Sequence, residues 1–74
     1  MSTNFKRSHW AAAAVQTHSS TTGILTEDTE TQVSDLLCNL MHYCRMNGID
    51  YAECVARAAR MNAEESGFSD NELS

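Results

Sequence analysis

The sequence contains no proline and only three glycines, which stand far apart at positions 23, 48 and 67. A phosphate-binding loop needs several glycines close together after a strand, and no segment of this chain has that pattern. No Ser-His-Asp or Cys-His arrangement can be assembled from the sequence either. These absences leave nucleophilic catalysis and a glycine-rich nucleotide site without support.

Cysteine is also scarce, with three residues that cannot all pair and are not spaced as a disulfide framework. The N-terminal residues do not have the pattern of a secretory signal. We therefore expect a reduced, cytoplasmic protein whose cysteines act as small apolar side chains.

Basic residues are few and unevenly placed. Residues 1–26 hold Lys6 and Arg7 and no acid, a formal charge of +2, whereas residues 27–74 hold ten acids and three arginines, a formal charge of −7. Nucleic-acid binding depends on Lys and Arg at phosphates, so we expect no nucleic-acid partner; the acidic body suits a basic protein partner. No apolar run approaches the about 18 residues of a membrane span, so we expect no membrane insertion.

The strongest helical pattern lies in residues 29–65, which we interpret as two helices joined by a tight turn. For the first helix, residues 30–46, Thr29 at the N-cap and Gln32 fit a capping box. Gly48 should end this helix, because glycine adopts the left-handed conformation without a Cβ clash. Apolar residues recur at spacings of three and four, which predicts one stripe: Val33, Leu36, Leu37, Leu40, Met41 and Cys44.

The second helix is predicted over residues 51–65, with Asp50 as its cap and Glu53 three residues on. The link between the two helices is short, so they should be antiparallel neighbours, a helical hairpin. The fold class is therefore all-α. The inward face of the second helix is expected to comprise Tyr51, Cys54, Val55, Ala58, Met61 and Asn62.

Three segments are expected: residues 1–28, the hairpin core 29–65 and residues 66–74. The alanine run after Trp10 allows a helix over residues 4–17, and both a docked helix and a mobile arm are open alternatives. Residues 19–23, Ser-Ser-Thr-Thr-Gly, favour a linker. Residues 66–74 are polar and predict a disordered acidic tail in which Phe68 touches the body.

The small size of the chain predicts self-association. A domain of 74 residues buries only about 60% of its unfolded surface, so its stability is marginal unless a partner adds burial. We expect a dimer or larger assembly and a further, unidentified protein partner. The expected interaction face consists of Trp10, Val33, Leu36, Leu37, Leu40, Met41, Val55 and Met61.

The residues alone do not predict a metal site or a cofactor. Cys38 and His42 lie one helical turn apart, but zinc needs three or four ligands and no second pair follows. Asp35 is a candidate ligand for magnesium. The candidate is weak, because a single carboxylate near a helix N-terminus does not make a metal site.

Residues 35–50, DLLCNLMHYCRMNGID, followed by a helix ending near Asn62, resemble the C-terminal half of MazG-type nucleotide pyrophosphohydrolases. The resemblance covers residues 32–62 and implies an all-α bundle that dimerises and hydrolyses nucleoside triphosphates with Mg²⁺. It implies that Asp35 is a metal ligand and that Asn62 is a candidate nucleotide contact. The Glu of the family's Glu-x-x-Asp motif is replaced by Gln32, and its earlier acidic helix has no counterpart in residues 1–26.

The same core also resembles small uncharacterised bacterial, phage and plasmid-borne helical proteins, through its Met41-His42-Tyr43-Cys44 run. The leading hypothesis is a non-catalytic acidic protein that acts by protein–protein interaction. One alternative is a reduced MazG-like, Mg²⁺-dependent pyrophosphohydrolase or a subunit of one. The other is an inhibitor from a phage or mobile element that mimics nucleic-acid charge.

Overall fold

The computed structural model describes the backbone of residues 3–73 and the side chains of residues 4–65. Its described part consists of three α-helices without a strand: α1 (Thr3–Thr22), α2 (Thr29–Met46) and α3 (Tyr51–Leu73). The predicted all-α class is confirmed; α2 ends and α3 begins at the expected residues, whereas α2 starts one residue earlier than expected.

Helix α1 continues well beyond its predicted end at residue 17, through most of the segment that was expected to be a linker. The hydroxyls of Thr21 and Thr22 donate hydrogen bonds to the carbonyl oxygens of Thr17 and His18, at 2.9 and 3.0 Å. Each carbonyl oxygen has two lone pairs, so it can accept from these hydroxyls and still accept its helical N–H bond. The expected linker is therefore helical up to Thr22.

Gly23 ends α1 in the left-handed conformation, with φ of +79°. The N–H of Ile24 donates to the carbonyl of Ser19 at 2.9 Å, and the N–H of Gly23 to that of Ser20 at 3.3 Å. These two bonds form a Schellman motif, which satisfies the last carbonyls of the helix. A sequence signal for this end exists, because the Gly-Ile pair at positions 23 and 24 recurs at positions 48 and 49.

The N-cap of α2 is Asp28, not Thr29 as predicted. The Asp28 carboxylate accepts a hydrogen bond from the N–H of Thr31 at 3.2 Å. Hydrogen bonds from the Thr31 side chain and then its backbone lower the pKa of Asp28. A carboxylate is a stronger acceptor than a hydroxyl at the positive end of a helix, which explains the earlier start. Gln32 instead donates to the carbonyls of Leu25 and Glu27, at 3.2 and 2.8 Å.

The turn between α2 and α3 confirms the local prediction. Gly48 has φ of +68°, and the N–H of Ile49 donates to the carbonyl of Cys44 at 2.8 Å. The Asp50 carboxylate accepts a hydrogen bond from the N–H of Glu53 at 3.1 Å. Local chemistry alone therefore places the end of one helix and the start of the next.

Replacing Gly48 by alanine is expected to destabilise the fold by about 1–2 kcal/mol, because an L-residue is strained in the left-handed conformation. A Cβ at this position would meet no atom within 4 Å, so the cost arises from the backbone alone. Gly23→Ala is the matched variant, with equally open space and a positive φ. Thermal unfolding followed by circular dichroism should show both midpoints lowered; an unchanged midpoint for Gly48→Ala would contradict the assigned turn.

The three helices form an open, flattened arrangement. Cys44 is the one buried apolar side chain among residues 4–65. The accessible surface is 5924 Å², whereas a compact chain of 8.2 kDa exposes about 4,500 Å². The radius of gyration is 14.4 Å, against about 11 Å for a compact domain of this length. Residues 4–65 therefore do not enclose the core of a helical bundle.

Polar side chains connect α1 to each of the other helices. Asn39 Nδ2 of α2 lies 2.9 Å from His18 Nε2 of α1, a hydrogen bond between the two side chains. Near the other end of α1, Arg7 Nε lies 3.5 Å from Glu65 Oε2 of α3. These two contacts hold α1 against the other helices. They leave Trp10, which lies between Arg7 and His18 on α1, exposed.

Helix α3 extends to Leu73, beyond the end predicted at residue 65. The side chains of residues 66–74 lie outside the described residues. The predicted disorder of that segment, and the predicted contact of Phe68 with the body, therefore stay predictions.

Candidate interaction surface

Four apolar side chains follow one another along α2 and remain open to solvent. Val33, Leu37, Leu40 and Met41 are between 39% and 45% exposed, and we call these four residues the α2 stripe. Their spacing of three and four residues makes them neighbours on the helix surface. Leu36, which was predicted on the same face, is half-buried. The α2 stripe is thus a continuous apolar surface about two turns long.

A different face of α2 is partly covered, and it is the face through which Asn39 contacts α1. Gln32, Asp35, Leu36 and Asn39 recur at spacings of three and four, and the first three are half-buried. Asn39 carries the hydrogen bond to His18. This face is mainly polar and lies largely on the side of α2 away from the α2 stripe. The N-terminal helix therefore leaves the most regular apolar pattern of the chain uncovered.

The predicted inward face of α3 is exposed apart from its first residue. Tyr51 is half-buried, whereas Val55 and Met61 are 47% and 50% exposed. Cys54, Ala58 and Asn62 are also exposed. The expectation that this face packs inside the hairpin is wrong along most of its length, because residues 52–64 of α3, between the half-buried Tyr51 and Glu65, are exposed. Val55 and Met61 add apolar surface on a second helix.

Trp10 lies on α1 and is 62% exposed. Of the two alternatives for residues 4–17, the structure contains a formed helix that contacts α2 and α3 through His18 and Arg7. Trp10 itself takes no part in those contacts. Phe5 is 72% exposed and its ring stacks on that of His9, with centroids 5.8 Å apart. Sequence reasoning missed Phe5 because no helical periodicity links it to the other apolar residues.

Two buried polar atoms lie near the C-terminal end of α1, close to the contact of His18 with α2. The side chain of Ser19 is fully buried, and its Oγ has no hydrogen-bond partner among the described residues. Nδ1 of the neighbouring His18 is likewise buried without a partner there. A buried hydroxyl without a partner costs about 1–3 kcal/mol. The enclosed Ser19 hydroxyl therefore lowers the stability of the fold at the C-terminal end of α1.

The candidate metal and nucleotide residues lie on separate helices. Asp35 is half-buried on α2, and Asn62 is exposed on α3. Within the part of the chain that the structure describes, no group of three or more His, Cys, Asp or Glu side chains could hold a metal ion. The roles implied by the MazG resemblance stay predictions.

None of the helices, within the residues described, combines the length and the apolar character needed to cross a bilayer. Comparison of the chain with protein-family models, with curated proteins and with solved structures found no match.

Proposed function

We propose that this chain is a small, acidic, non-catalytic protein that acts by protein–protein interaction, and that its first partner is a second copy of itself. The observation that carries the proposal is the exposure of the α2 stripe. Val33, Leu37, Leu40 and Met41 form the clearest apolar pattern in the sequence, yet each is about 40% exposed in the isolated chain. Monomeric proteins rarely leave contiguous apolar surface of this kind uncovered.

The surface area supports association. The accessible surface of 5924 Å² exceeds that of a compact chain of this mass by about 1,400 Å². A stable interface of ordinary size buries about 800 Å² on each partner. Covering the open surface with one more chain at such an interface would therefore remove a little over half of the excess exposed area per chain.

The charge distribution supports a second copy as the occupant. Residues 1–26 carry a formal charge of +2 and residues 27–74 one of −7. Arg7 already pairs with Glu65 of its own chain, so Lys6 is the basic side chain of α1 that two copies can place near the acidic body of the other, which gives attraction in both directions. A further protein partner would then bind the surfaces that remain open, such as Trp10.

Sedimentation equilibrium of the full chain tests the proposal over about 1–100 µM, the range in which an association worth about 8 kcal/mol is seen. We expect the mass to rise with concentration from 8.2 kDa towards at least twice that value. A folded chain that keeps the monomer mass throughout would refute the self-association. Helical content by circular dichroism at each concentration separates that outcome from unfolding.

A further inference from the structure

The charges of α2 and its apolar stripe share one centre. Glu30 lies in the first turn of α2 and Arg45 in its last turn. The midpoint between these two residues lies at positions 37–38. The α2 stripe has its own midpoint at position 37, halfway between Val33 and Met41. A twofold axis placed there would set Val33 of one copy against Met41 of the other, and Glu30 against Arg45.

The two charged residues also lie on the same side of the stripe. With about 100° per residue, Glu30 and Arg45 are displaced about 35° and 95° from the centre of the stripe, both towards Met41. When two helices pair antiparallel about a perpendicular twofold axis, each flank meets the same flank of the other copy. A parallel pair brings opposite flanks together and sets like ends of the helix side by side. The positions of these charges therefore favour the antiparallel arrangement.

We propose that two copies of the chain associate through an antiparallel pairing of α2 with α2, centred on Leu37, with Glu30 of each copy beside Arg45 of the other. This inference rests on the proposed function and specifies its interface. The macrodipoles of the two α2 helices are then opposed, which also favours the antiparallel pair. Asp35 lies about 175° around α2 from the centre of the stripe and stays outside the interface.

Reversal of the two charges tests the pairing. Glu30→Lys alone would place two cations together, and Arg45→Glu alone would place two anions together, at both ends of the dimer. We expect each single variant to raise the dissociation constant at least about tenfold at low ionic strength. The double variant Glu30→Lys/Arg45→Glu restores opposite charges and should lie within about threefold of the unmodified protein. At about 1 M salt, where the Debye length falls to about 3 Å, the differences should shrink.

Purely intramolecular effects of the two substitutions predict the opposite result for the double variant. The two residues are about 22 Å apart along α2, too far for a direct ion pair. Each single reversal also opposes the helix dipole, so purely local effects would add, and the double variant would be the weakest. Rescue by the double variant therefore reports a contact between copies. Arg60→Glu on α3 is the control, because it changes the net charge as Arg45→Glu does and should leave the dissociation constant within about twofold.

Sedimentation equilibrium gives the dissociation constants, and circular dichroism checks that every variant keeps its helical content. Rescue in the double variant supports the antiparallel pairing. If the unmodified chain associates but the double variant is no tighter than the weaker single variant, the antiparallel pairing is overturned and the proposed self-association stands. If the unmodified chain stays monomeric, both fail together.

Discussion

Leu37→Lys is expected to keep the chain at its monomer mass of 8.2 kDa at concentrations where the unmodified protein associates. Leu37 lies at the centre of the α2 stripe and is 45% exposed in the isolated chain. In the proposed pair its side chain lies beside the twofold axis, so a single substitution would introduce two ammonium groups into one apolar interface. Desolvating such charges costs several kcal/mol, so the dissociation constant should rise at least about 100-fold.

Met46→Lys is the matched control for this experiment. Met46 is 84% exposed and lies on α2 about 165° around the helix from the centre of the stripe. The Met46→Lys variant gains the same side chain and the same charge as Leu37→Lys. Its dissociation constant should equal that of the unmodified protein. Equal dissociation in both variants would assign the effect to net charge. An unchanged mass for Leu37→Lys, with Met46→Lys also unchanged, would mean that the α2 stripe is not the interface.

Substitutions of Ser19 are expected to change stability in opposite directions. Ser19→Ala removes a buried hydroxyl that has no partner among the described residues and introduces a better helix former, so it should stabilise the fold by about 1 kcal/mol. Ser19→Leu adds volume at a side chain with 0% exposure and should destabilise it by about 1–3 kcal/mol. The opposite signs follow from one feature, a small polar group enclosed where α1 meets α2.

Urea unfolding followed by circular dichroism measures both Ser19 variants. The neighbouring Ser20 is exposed, so Ser20→Ala and Ser20→Leu are matched controls with expected changes within about 0.5 kcal/mol. A loss of stability in Ser19→Ala would show that the hydroxyl has a hydrogen-bond partner in solution. A Ser19→Leu variant as stable as the unmodified chain would show that α1 does not pack on α2 at this point.

The hairpin was predictable because its signals are local. Gly48 takes a positive φ and Asp50 caps the next helix, and each of these outcomes depends on a few neighbouring residues. The same chemistry was present at Gly23, where the Gly-Ile pair ends α1 as Gly48-Ile49 ends α2. The serine and threonine residues before Gly23 led to the prediction of a linker, because their composition alone does not show that their hydroxyls bond back within the helix.

The position of α1 was not predictable from local pattern. A hydrogen bond between His18 and Asn39 and an ion pair between Arg7 and Glu65 connect α1 to the hairpin. These residues are distant in sequence and follow no apolar periodicity. The exposure of Trp10, at 62%, was not predictable from local pattern either, because it depends on where α1 lies.

The sequence by itself determined three things about this protein: the all-α class, the turn at Gly48 and the apolar stripe of α2. Each follows from spacing and capping chemistry within one or two helical turns. Only the tertiary structure decided which face of α2 would be covered. That choice depends on the sum of contacts among all three helices, and here polar contacts of α1 leave Leu37 and its neighbours open. The α2 stripe, which carries the proposed function, is therefore predictable from the sequence. Its exposure to a partner is a property of the fold.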